Sequence, residues 1–152
     1  MAQQPDVVLF ACVHNAGRSQ MAAALFNELA DPQKAIAVSA GTEPASRVHP
    51  GVVDAMREIG IDLAGAQPQF LSQELAEGAQ LLVTMGCGEA CPYVPGLARV
   101  DWELRDPKNE PLDVVRGIRD DIRQRVAELV AAHGWQRGSV PNVSVSPAAR
   151  VR

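Results

Sequence analysis

Short unbroken apolar runs alternate along this chain with longer stretches whose apolar residues recur every three or four positions. Val7-Val8-Leu9-Phe10-Ala11-Cys12 is a run without polar alternation, which fits a strand covered on both faces. A polar, Gly-containing turn follows. Ser19 to Ala30 then reads as a helix, with Ser19 near its start and Met21, Leu25 and Leu29 on one stripe. Ile36 to Ser39 predicts a second strand, closed by Ala40-Gly41. Pro50 suits a first helical turn, with Val52, Met56 and Ile59 facing inward and Gly60 as the stop. Phe70 to Glu77 predicts a short helix stopped at Gly78, and Leu81 to Met85 a third buried strand. Gly86 to Gly96 is loop-like, and a short fourth strand is expected over Ala98 to Val100. From Asp113 to His133 a helix is predicted, because Val115, Ile118, Ile122, Val126 and Leu129 repeat at helical spacing. Arg116 to Arg125 supply its solvated face, and Trp102 is expected to pack in the interior. Arg137 to Arg152 lack periodicity and read as a flexible C-terminal tail. Strands and helices alternating at this spacing predict an α/β fold, a small parallel sheet with helices on both faces. Ligands of such sheets bind beyond the carboxyl ends of the strands.

Composition narrows the function. The 152 residues suit one domain, and no apolar stretch is long enough to span a bilayer. Lys and Arg number 14 against 18 Asp and Glu, so there is no basic surplus with which to neutralise a nucleic acid. Any bound anion must be held by local geometry. The opening residues, Met1 to Asp6, lack the basic start and apolar run of a secretory signal, and a cytoplasmic location is expected. Three cysteines in such a chain make no disulfide framework.

The turn after the first strand reads Cys12-Val13-His14-Asn15-Ala16-Gly17-Arg18-Ser19. A short loop curling into a helix start turns several backbone N–H groups inward, which favours a tetrahedral anion held by residues 13–18. Arg18 adds a bidentate fork, and it favours a thiolate at Cys12 together with the positive helix end. The Ser19 hydroxyl is placed to donate to that sulfur, and Asn15 and Gly17 tolerate a left-handed backbone. Read singly, Cys12 is a buried strand end, Ser19 a helix cap and Arg18 a surface charge. Their coincidence at one strand-to-helix turn points to a nucleophile in an oxyanion trap. His14 either tunes Cys12 electrostatically or hydrogen-bonds to backbone.

Cys-x5-Arg-Ser after a first strand resembles the low-molecular-weight tyrosine phosphatase superfamily. The string His14-Asn15-Ala16-Gly17-Arg18-Ser19-Gln20-Met21-Ala22 is more similar to its arsenate reductase branch, and Ser39-Ala40-Gly41-Thr42 and Asp106-Pro107 also match. The resemblance covers about Val7 to His133, so residues 1–136 are expected to form the phosphatase-like domain and 137–152 the tail. It implies a four-stranded parallel sheet, reduction of arsenate to arsenite in arsenical detoxification, and binding of phosphate or sulfate as mimics. Asp106 matches the family's general acid, which protonates the departing oxygen. Ser39 either braces Asn15, as in the family, or is a plain polar strand end. Where the phosphatases' loop has a Gly and a second Cys, this chain has His14 and Gly17. Phosphotyrosine hydrolysis by the same loop is the rival reading, though only 4% of the residues are aromatic.

Cys87 and Cys91 follow the third strand, at the sheet edge where the Cys12 loop opens. They are an inert pair, metal ligands or a redox pair. A structural zinc needs about four ligands, and the remaining candidates are the scattered His14, His49 and His133. The resemblance implies that Cys87 attacks the arsenylated Cys12, that Cys91 resolves the resulting disulfide, and that thioredoxin reduces the Cys87–Cys91 pair. The three-residue spacing is more similar to members that use mycothiol with mycoredoxin, where the two cysteines are auxiliary. Some family reductases bind potassium through a carboxylate on the first helix. Ala23 stands there in this chain, so no metal and no bound cofactor is expected.

Overall fold

In the computed structural model, which describes residues 4–86 and 94–137, four parallel strands form one sheet in the order β2-β1-β3-β4. The strands are β1 (Asp6–Cys12), β2 (Ala35–Gly41), β3 (Leu81–Thr84) and β4 (Ala98–Asp101). The helices are α1 (Arg18–Leu29), α2 (Pro50–Arg57), α3 (Gln73–Glu77) and α4 (Leu112–Ala132). Alternation along β1 divides the interior. Val8, Phe10 and Cys12 join the larger core with α1, α2 and α4, whereas Leu9 and Ala11 meet Ala76 of α3 on the other face. Both faces of the sheet are thus covered, which is why β1 is an uninterrupted apolar run. Phe10 ties the larger core together, with ring centroids 5.9 Å from Phe26 and 5.8 Å from the buried Trp102.

Four expectations need correction. The helix predicted from Phe70 begins only at Gln73, because the Ser72 side chain caps it by accepting the Leu75 N–H. Phe70 instead forms a parallel bridge with Gly41, extending the end of β2. Ser19 does not cap α1. The cap position is Gly17, and Ser19 lies inside the first turn with its hydroxyl turned to Cys12 and Asn15. Gly17 is not left-handed (φ −143°), whereas Asn15 is, at φ 51°. Finally, α4 is not solvated throughout Arg116 to Arg125. Arg119 is 8% exposed, and its guanidinium donates to the Ala55 carbonyl at 2.8 Å and to Glu58 at 3.0 Å. Arg116 meets the same Glu58 carboxylate at 2.6 Å, so the supposed solvent face fastens α4 to the end of α2.

Cys87, Cys91 and the tail beyond residue 137 lie outside the described residues. Among the described residues, no helix is long and apolar enough to cross a membrane.

Candidate active site

The strand order reverses between β1 and β3, and the Cys12-to-Ser19 loop leaves β1 at that switch point. Its backbone is fastened from outside. The carbonyls of Cys12, Val13, His14 and Ala16 accept the N–H groups of Thr42, Glu43, Ala45 and His49 at 3.3, 2.7, 2.9 and 2.9 Å. The Asn15 carbonyl accepts the Gln20 side-chain amide at 3.1 Å. Among the described residues no peptide is cis, so each of these points its N–H opposite to its carbonyl. Five outward carbonyls therefore turn the N–H groups of Val13, His14, Asn15, Ala16 and Gly17 toward the inside of the loop. The start of α1 adds to this. Gly17 offers no capping side chain, and no acidic residue occupies the first turn. The result is a cup of positive backbone dipoles at the end of a buried strand.

Cys12 forms the floor and is 2% exposed. Its sulfur lies 2.9 Å from the Ser19 hydroxyl, which receives the Asn15 side-chain N–H at 2.7 Å. The orientation of the Asn15 amide is fixed by its other end, where Oδ1 accepts the Gln69 backbone N–H at 2.9 Å and the Gln20 amide at 3.2 Å. With Asn15 donating to Ser19, the hydroxyl keeps its own proton to donate to a thiolate at Cys12, where it would support negative charge. Ser39 reaches this network through Gln69, whose side-chain amide donates to the Ser39 carbonyl at 2.8 Å.

Arg18 closes one side. Its Nη1 donates to the Leu104 carbonyl at 3.2 Å and its Nη2 stands 3.8 Å from the Asp106 carboxylate. Its Nε is buried and has no hydrogen-bond partner among the described residues, so it is a donor that an acceptor in the loop could satisfy. Gly86, at φ 95°, lets the end of β3 lie against the guanidinium: a Cβ there would come within 2.9 Å of Nη1. Asp106 is half-exposed and accepts the Lys108 N–H at 3.0 Å, whereas Pro107 behind it is buried.

His14 lies on the rim, its Nδ1 3.0 Å from the Glu43 carbonyl, so of its two expected roles the backbone hydrogen bond is present. Beside the loop opens a cleft of about 470 Å³ lined by His14, Glu43, Pro44, Ala45, His49 and Lys108. Burial holds the His49 imidazole below its ordinary pKa. The Asp106 carboxylate opposes this, and the charges of Lys108, His14 and Arg18 reinforce it. Sequence reasoning singled out neither His49, Gln20 and Gln69 as parts of the site nor the Leu104 carbonyl. Gln69 stands 54 positions from Asn15, and a His before a helix-starting Pro carries no distinctive signal.

Residues 7–137 match the family model described as low molecular weight phosphotyrosine protein phosphatase. The chain is 39% identical to an arsenate reductase of Halalkalibacterium halodurans, with 79% of this chain and 91% of that one aligned. It is 35% identical to a glutaredoxin arsenate reductase of Synechocystis, over 82% and 95% of the two chains. Among solved structures it superposes on a thioredoxin-dependent arsenate reductase of Corynebacterium glutamicum with a TM-score of 0.75 and 37% identity. That match covers 87% of this chain and 63% of the longer Corynebacterium one.

Proposed function

Because the chain belongs to the low molecular weight phosphotyrosine protein phosphatase family, we propose that it is a thiol-dependent arsenate reductase built on that family's fold. The observation that carries this reading is the Cys12 sulfur under the cup, with Ser19 at 2.9 Å behind it and the Arg18–Asp106 pair beside it. Arsenate is held by the N–H groups of residues 13–17 and by the Arg18 fork, as phosphate or sulfate would be. The Cys12 thiolate attacks arsenic and the bond from arsenic to one hydroxyl oxygen breaks. Asp106 gives its proton to that oxygen, which leaves as water. Arsenic is still As(V) at this point. A second thiolate then attacks the Cys12 sulfur, and the S–As bonding pair moves to arsenic. Arsenite departs as As(III), and the two sulfurs remain as a disulfide.

Cys87 is our candidate for that second thiol, with Cys91 resolving the disulfide and thioredoxin reducing the Cys87–Cys91 pair. An external thiol such as mycothiol, recycled by mycoredoxin, would fill the same electron requirement and leave both cysteines auxiliary. A cytoplasmic setting, where thiols are kept reduced, suits either route.

The rival reading, phosphotyrosine hydrolysis, uses the same cup and acid. It calls for an aromatic slot, and the cleft beside the loop has none of Phe, Tyr or Trp among its described walls. Arsenite release and aryl phosphate hydrolysis, measured on one preparation, separate the two. Cys12→Ser abolishes arsenite release if the reading holds; release at the wild-type rate overturns it. Cys87→Ser and Cys91→Ser, each assayed with thioredoxin and with mycothiol, assign the reductant.

A further inference from the structure

Gly17 sits where three segments converge. It ends the cup, and a Cβ built on it would lie 2.6 Å from Cγ and 3.3 Å from Cδ of Pro107, and 3.4 Å from Cδ2 of His49. The first distance is well inside van der Waals contact, so Pro107 occupies space that a side chain at position 17 would need. Pro107 directly follows Asp106 and is buried, whereas Asp106 is exposed. The turn carrying both is internally fixed. Lys108 N–H donates to Asp106, Glu110 N–H donates to the Pro107 carbonyl at 3.1 Å, and Arg105 pairs with Glu110 at 3.0 Å. A turn this well braced moves as a unit, so displacing its proline displaces the carboxyl next to it.

We propose that Gly17 is a positioning residue: having no side chain, it seats Pro107 against the cup and so sets the place from which Asp106 delivers its proton. This rests on the reading of Asp106 as the acid. His49, whose N–H holds the Ala16 carbonyl at 2.9 Å, forms the second wall of the seat.

The test is Gly17→Ala in the full chain, which keeps the residue 17 N–H and adds only the obstructing carbon. Arsenate turnover and the inhibition constant of inorganic phosphate are measured together. Turnover is expected to fall roughly ten- to hundredfold, the range a misplacement of about 1 Å produces, with phosphate inhibition within about threefold of wild type. Pro107→Ala removes Cγ and Cδ, so the Gly17→Ala/Pro107→Ala double variant is expected to recover most of the loss. In an Asp106→Asn background Gly17→Ala costs no further turnover, since the group it misplaces is gone.

Wild-type turnover in Gly17→Ala, phosphate affinity falling in step with turnover, or failure of Pro107→Ala to rescue each overturns the seat. Should Gly17→Ala not fold, Pro107→Ala alone carries the test. A severalfold fall in turnover that vanishes in the Asp106→Asn background supports the seat, and unchanged turnover overturns it. Wild-type turnover in Asp106→Asn itself overturns the acid reading, and is told apart because it needs no change at position 17.

Discussion

The Ser19 hydroxyl stands 2.9 Å from the Cys12 sulfur and accepts the Asn15 side-chain N–H at 2.7 Å, so its own proton is available to a thiolate at Cys12. Removing that donor leaves a developing or resting sulfur anion less supported. Ser19→Ala is expected to slow alkylation of Cys12 by iodoacetamide at neutral pH, and to lower turnover by about a hundredfold, the usual effect of losing one donor to a reacting anion. Equal alkylation rates in variant and parent would show that the hydroxyl does not act on the sulfur.

Asn15 combines a left-handed backbone, φ 51°, with a fully buried amide bonded on both ends. Its replacements therefore separate two costs. Asn15→Ala and Asn15→Gly both lose the amide, but only alanine is strained at that φ. The alanine variant is expected to be less stable than the glycine variant by about 1 kcal/mol in urea denaturation.

His49 gives stability a slope with pH. Its folded pKa is held below the ordinary 6.5, chiefly by burial, against the opposing pull of Asp106 and with reinforcement from Lys108, His14 and Arg18. Between the two values the unfolded chain binds more protons than the folded one, so stability falls as pH drops below 6.5. His49→Gln is expected to flatten this part of the urea-midpoint profile. A profile that superposes on that of the parent would locate the slope elsewhere.

Glu58 acts at lower pH. The Arg116 hydrogen bonds bring its carboxyl down to about 2 from 4.5 against the opposing effect of desolvation, and the Arg119 hydrogen bond adds to the lowering. Its contribution is present in full above 4.5 and drains away as pH falls toward 2. Acid unfolding followed by circular dichroism should show the parent losing stability as pH falls from 4.5 toward 2, whereas Glu58→Gln should be less stable at neutral pH and change less across this window. The pair is solvent-exposed, so added salt should shrink the difference between the two proteins.

How much of this could be read from the string depended on whether the interacting residues were neighbours in it. The Cys12–Ser19 turn is one continuous segment between a buried strand and a helix, so its chemistry was legible, and so was the periodic inner face of α4. Asp106 needed the family resemblance, since Asp-Pro alone is a common turn pair. Arg119 was misread because it lies on the charged face of α4, and what buries it, Ala55 and Glu58, stands more than sixty positions earlier. Gly17 was legible as part of the anion loop, but its close approach to Pro107 was not, because spacing along the chain does not encode that contact.

Residues 42–49 take the outward carbonyls of Cys12, Val13, His14 and Ala16, one partner each. The proposed anion receptor is thus assembled by folding itself, not by the anion. A visiting oxyacid finds its donors already aligned and need order no loop on arrival, so capture should be limited by encounter and by shedding of water from the incoming ion.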